Sequence, residues 1–169
     1  ADDAVIAVQG TIALEILEKI EDIEHIIVPI GGGGLISGIA IAAKAINPNI
    51  KITGVVASGA RGMKDSFEAR MPIDSASVKT IADGIAVRDV TPKLLDIILE
   101  YVDQIVEVTD NETANAILFL LEKHKLVVEG AGAVATAAIM HKKVESENEK
   151  VCAIVSGGNI DVTMLSLII

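Results

Sequence analysis

Residues 28–40 read VPIGGGGLISGIA. The stretch closes a continuous apolar run, His25-Ile26-Ile27-Val28-Pro29-Ile30, long enough for a buried strand. It opens a helical pattern from about Leu35 to Ile46, which Asn47-Pro48-Asn49 ends. Between the two lie Gly31, Gly32, Gly33 and Gly34. Strand, glycine turn and helix start, in that order, make an anion site, most often for phosphate. Consecutive glycines remove every Cβ, so backbone N–H groups can turn inward together, and the helix adds the positive end of its dipole. A turn that merely needed one left-handed residue would be served by one glycine.

Working outward, the same alternation continues. Residues 3–20 carry a helical period through Ile6, Ile12, Leu14, Ile16 and Leu17. Residues 51–57, KITGVVA, read as the next strand, and 60–70 as a helix. The mixed stretch 71–90 reads as loop. Thr91-Pro92 predicts a helix start, with a hydroxyl at the N-cap and proline at the first position, running to about Glu100. Gln104 to Val108 is a short strand. Thr109-Asp110-Asn111-Glu112 has capping-box spacing and opens a helix to about Lys123. A small-residue helix follows from about Glu129 to Met140, then a charged, solvated loop from Lys142 to Lys150. Val151 to Val155 is the last strand, and Ser156-Gly157-Gly158-Asn159 the loop after it. Strands separated by helices require crossover connections. The fold class is therefore α/β, an open, mostly parallel sheet with helices on both faces. Ligands of such sheets sit at the carboxyl ends of strands, where both glycine loops fall.

Composition removes several functions. The chain has 169 residues, 51% of them apolar, with mean hydropathy +0.53, which suits one domain with a sizeable core. Fourteen Lys and Arg against 24 Asp and Glu give a net charge of −10, which offers no footprint for nucleic acid or for a membrane surface. No apolar run reaches membrane-spanning length. Tyr101, Phe67 and Phe119 are the only aromatics, too few for a base-stacking platform. Cys152 stands alone and reads as a buried thiol in a reducing cytoplasm. His25, His124 and His141 show no metal-ligand spacing, and no metal site is expected. The chain opens Ala1-Asp2-Asp3 without Met, which points to a fragment of something longer.

Two further features carry chemistry. Ser156 offers a hydroxyl that can donate to, or accept from, an aromatic nitrogen. In Val127-Val128-Glu129-Gly130-Ala131-Gly132-Ala133, small residues permit close approach, and Glu129 puts a carboxylate where the helix dipole favours one. A rival reading is open at this point. Gly32, Gly34 and Gly38 have a relaxed dinucleotide-loop spacing, and Ser58 and Arg61 after the next strand could hold a ribose 2′-phosphate. That reading gives an NADP-type binding or effector-sensing module without chemistry.

Four stretches together resemble one family: VPIGGGGLISGIA (28–40), ADGIAV (82–87), VVEGAGAVATAA (127–138) and SGGNID (156–161). They look like threonine dehydratase, the threonine ammonia-lyase branch of the fold-type-II enzymes that use pyridoxal 5′-phosphate. GTIALEIL (10–17) fits the same family. The resemblance implies a cofactor phosphate held by the N–H groups of Gly31, Gly32, Gly33, Gly34 and Leu35. It implies Ser156, with Gly157, facing the pyridine nitrogen, Gly84 approaching the ring edge through its backbone, and Glu129 near cofactor and substrate as a candidate catalytic group. A neutral hydroxyl partner leaves the ring nitrogen largely unprotonated, which suits β-elimination. The implied activity is deamination of threonine, and of serine more slowly, to a 2-oxo acid and ammonia.

Departures from the family bound this expectation. The family forms its Schiff base through a lysine in an N-terminal Ser-Phe-Lys-x-Arg-Gly-Ala segment, and no such segment is present. Ser77-Val78-Lys79 matches it in two positions but continues Thr80-Ile81-Ala82, so Lys79 reads as a surface residue. Some relatives place a cation-binding glutamate after the strand matching 51–56, where this chain has Val56 and Ala57. The expectation is the large cofactor-binding domain (1–169) of a longer enzyme, inactive alone and lacking the lysine and the small domain. Its partners would be an amino-acid substrate, the rest of the enzyme and further copies of itself. Biosynthetic and catabolic types, the former serving isoleucine biosynthesis, are not separable on these residues.

Overall fold

Strand β1 (His25–Pro29) is buried at every position, and the pattern of side chains on it shows why. Ile26 and Val28 pack into one apolar cluster with Ile52 and Val56, while Ile27 packs into a second with Val55 and Ala57. Alternation sends successive side chains to opposite faces, so a strand covered on both sides must be apolar throughout. The computed structural model describes residues 2–169. Among them, β1, β2 (Lys51–Ala57), β3 (Gln104–Val108) and β4 (Val151–Ala153) form one sheet in the order β3-β2-β1-β4. Every pairing is parallel, with Ile27 level with Thr53 on one side and Ala153 on the other.

The helices divide between the faces. α1 (Asp3–Lys19), α2 (Gly34–Ile46) and α4 (Pro92–Tyr101) supply Ala13, Ile36, Ile39, Ala43, Leu95 and Ile98 to the first cluster, and α3 (Gly62–Ala69) adds Met63. α5 (Asp110–Phe119) and α6 (Gly130–Met140) supply Ala116, Ile117, Val134, Ala135 and Ala138 to the second. The fold class read from the sequence is the one observed, and no described helix is long and apolar enough to cross a membrane.

Local chemistry sets the ends. Thr109 and Glu112 make both bonds of the capping box. Pro92 starts α4 as expected, but the Thr91 hydroxyl caps nothing; the Thr91 carbonyl accepts from Leu94 and Leu95 instead. The helix expected to reach Lys123 does so with a change of pitch. α5 passes into a π turn over Leu120–His124, stopped by Lys125 in the left-handed region. The loop 71–90 contains one 3-10 turn, Asp83–Ile85. The last strand is shorter than Val151–Val155, ending at Ala153. The loop from Lys142 to Lys150 is mostly exposed, yet it buries Val144 and ties Glu149 to Lys51 and His25. A final helix, α7 (Val162–Ile168), was not expected. Asp161 caps it, accepting from the N–H groups of Thr163 and Met164.

Candidate functional site

The tetraglycine turn leaves β1 and enters α2 with its donors unspent. Among the described residues, the N–H groups from Gly31 to Ile36 find no protein acceptor; the first to do so is Ser37, which donates to Gly33. Ordinarily such groups are paired, and a run of unpaired N–H groups at a helix start selects an anion. The four glycines are there for different reasons. Gly33 has φ +98°, and a Cβ would stand 2.9 Å from Cδ1 of Ile98. A Cβ on Gly31 would stand 3.0 Å from Cα of Ile85. Gly32 and Gly34 have nothing within 4 Å of that position, so they face open space.

Motifs far apart in the sequence meet beside this turn. Gly31 touches Ile85 and Val87 of the 82–87 segment. That segment is anchored from behind: Asp110 Oδ1 accepts from the Thr80 hydroxyl at 2.5 Å and from the Ile81 N–H at 3.2 Å. Gly84 packs toward Ala131 and the Glu129 carboxylate, at 3.0 and 3.5 Å from its Cβ position. Gly130 lies against the Ile81 carbonyl, and Gly132 against the main chain of Gly157. The Glu129 N–H donates to the Gly157 carbonyl at 3.1 Å. The small residues of α6 are what let these chains pass so closely.

Ser156 is exposed, and its hydroxyl has no protein partner among the described residues. It stands just beyond β4, and Gly31 just beyond β1; the two strands are neighbours. Adjacent parallel strands share their direction, so the two turns rise from the same end of the sheet. Leu35 and Ser156 line one open groove of about 580 Å³, together with Gln9, Ile12, Ile154 and Val155.

Other candidates are placed elsewhere. Arg61, needed for a 2′-phosphate, bonds Asp65 at 2.9 Å and Glu107 at 3.2 Å, and the Asp65 hydrogen bond raises its pKa further. Its charge is spent inside the protein. Lys79 is exposed. Cys152 is half-buried rather than fully buried, and burial pushes its thiol pKa up. Sequence reasoning missed Thr80 and Asp110, which brace the 82–84 turn, and Asn159, whose N–H reaches Glu129.

A model of one protein family, described as pyridoxal-phosphate dependent enzyme, matches residues 1–157. The chain belongs to this family. Among the curated relatives of this pyridoxal-phosphate family member is the L-threonine ammonia-lyase of Thermotoga maritima. It is 46% identical over 176 residues, covering 99% of this chain and 42% of that protein. The catabolic L-threonine dehydratase TdcB of Escherichia coli is 44% identical over 169 residues, covering 99% and 51%. The chain thus spans about half the length of the curated relatives it matches. Of solved structures, processed threonine deaminase isoform 2 from Solanum lycopersicum superposes with a TM-score of 0.91 at 36% identity, over 99% of this chain and 49% of that one. Maize serine racemase superposes at 0.88 with 40% identity, over 96% and 50%.

Proposed function

We propose that the chain is the large cofactor-binding domain of a longer threonine ammonia-lyase. In that enzyme it holds pyridoxal 5′-phosphate during deamination of threonine, and more slowly of serine, to a 2-oxo acid and ammonia. The observation that carries the reading is the unpaired run of N–H groups from Gly31 to Ile36, set beside open space at Gly32 and Gly34. These residues fit a phosphate. The N–H groups of Gly31, Gly32, Gly33, Gly34 and Leu35 would take its oxygens, and α2 would add its dipole. Similarity to the named lyases supports the reaction.

When bound, the cofactor supplies an electron-withdrawing ring that stabilises negative charge on the α-carbon of an amino acid. The chain's own residues bind and orient. Ser156 offers its hydroxyl to the ring nitrogen and supplies no charge there. Gly84, without a Cβ, lets its backbone lie against the ring edge. Gly157 gives the turn after Ser156 the room it needs beside Glu129. The lysine for covalent attachment and the substrate-carboxylate loop come from the rest of the enzyme, in the cytoplasm, in an assembly of several copies. The 169-residue chain has no turnover alone.

The test is retention of cofactor. The chain is incubated with pyridoxal 5′-phosphate or with NADPH, dialysed, and its absorbance recorded. Retained pyridoxal phosphate without a lysine-imine band is the expected result. Retained NADPH with pyridoxal phosphate lost would replace this reading by the nucleotide-binding one.

A further inference from the structure

We propose that Glu129 is a positioning residue, one that clasps the turn 156–159 and so fixes where the Ser156 hydroxyl stands. The inference rests on the reading of that turn as one wall of the cofactor site. Glu129 occupies the N-cap of α6 in an extended conformation, yet its side chain caps nothing on its own helix. The carboxylate is turned away: Oε2 accepts from the Asn159 N–H at 3.1 Å, while the Glu129 N–H donates to the Gly157 carbonyl at 3.1 Å. One residue thus holds the turn on both sides of Gly158, once through its main chain and once through its side chain.

Sterics say the same. A Cβ on Gly157 would stand 2.4 Å from Glu129 Oε1, so the carboxylate fills the place a side chain would take. On its other flank, Oε1 lies 3.5 Å from the Cβ position of Gly84. The carboxylate is therefore wedged between the two turns expected at the ring. Ser156 makes no side-chain bond to the described residues, so its place is set by the backbone that Glu129 holds. The role needs an acceptor oxygen and no proton. Glutamine supplies that oxygen; alanine does not. A proton-transfer role would be lost in both.

Amide hydrogen exchange at Asn159 tests the clasp in the 169-residue chain, with Ile27 and Val55 as reporters of an intact core. Glu129→Ala should speed Asn159 exchange by about tenfold, the loss of one charge-assisted bond, and Glu129→Gln by no more than about threefold. Gly157→Ala, which displaces the carboxylate, should behave like Glu129→Ala. Affinity for added pyridoxal 5′-phosphate should fall with the alanine variants and return with glutamine. Equal exchange in all variants overturns the clasp. Faster exchange with unchanged affinity overturns its link to the site. If the unaltered chain binds no pyridoxal 5′-phosphate, the cofactor reading fails, and exchange alone still decides whether Glu129 holds the turn.

Discussion

At the amino end of the sheet, the polar side chains packed around β1 bond to one another. His25 is buried; its Nδ1–H donates to Glu149 at 3.0 Å, and its Nε2 accepts from the Thr53 hydroxyl at 2.7 Å. The carboxylate can only accept, which fixes that tautomer. Gln104 then donates to Thr53 at 2.9 Å, and Lys51 pairs with Glu149. At the carboxyl end of the same strand, the N–H groups from Gly31 to Ile36 have no acceptor, and Ser156 none either. Donors left unpaired together beside open space are free to meet an anion, as the proposed phosphate site requires. The saturated end holds three strands and the loop before the fourth in register. The unsaturated end is where the cofactor phosphate is proposed to sit.

Breaking the saturated end should cost most. His25→Ala removes the acceptor of the Thr53 hydroxyl and one of the two donors to Glu149, opens a cavity, and should lower unfolding free energy by about 2–4 kcal/mol in denaturant titration. Affinity for pyridoxal 5′-phosphate should stay within about twofold. A large fall in affinity would mean that the two ends are not separate.

Acid should do the same work more gently. Burial lowers the pKa of His25 below its ordinary 6.5, although Glu149 opposes this. The unfolded chain therefore binds the proton first. Stability is fully present above about pH 6.5 and falls as pH drops toward the depressed folded value, by up to about 1.4 kcal/mol per pH unit. Glu149, whose pKa the Lys51 hydrogen bond lowers, adds a loss of the same sign below its ordinary 4.5. Unfolding measured from pH 8 to 4 should show this slope, and His25→Ala should abolish its upper part.

The tetraglycine turn sharpens the comparison from the other side. Gly33→Ala forces a side chain onto a left-handed backbone against Ile98, and should cost about 1–3 kcal/mol by thermal unfolding. Gly34→Ala meets open space at the first position of α2, so stability should be unchanged or rise by up to about 1 kcal/mol. The new methyl would stand where the phosphate is expected, and affinity for pyridoxal 5′-phosphate should fall at least about tenfold. A substitution that stabilises the fold while removing binding separates the two ends in one experiment.

Much of this was legible in the sequence where the cause is local. The buried strand 25–29 announced itself by an unbroken apolar run, and the start of α5 by its capping box. The expectation of an anion site at 31–34 follows from glycines between a strand and a helix, while the cofactor itself comes only with the family resemblance. What is long-range was not legible. His25 looked like one of three scattered histidines because its partners lie 28 and 124 residues away. Asn159 and Glu129 meet only because the turn after β4 folds back against the start of α6, and Thr80 reaches Asp110 from a loop 30 residues away. Two local features were missed for other reasons. The cap at Asp161 lies just past the glycine loop 156–159, in a stretch where the sequence reading places no helix, and the π turn after α5 continues the helix without a break in sequence pattern to mark it.

The most direct test is to follow the backbone amide resonances of the chain while pyridoxal 5′-phosphate is added. The account predicts shifts concentrated at Gly31 to Leu35, with a second group around Ser156, and none at His25 or Arg61. Shifts centred on Arg61, or a tetraglycine turn that does not respond to saturating ligand, would contradict it.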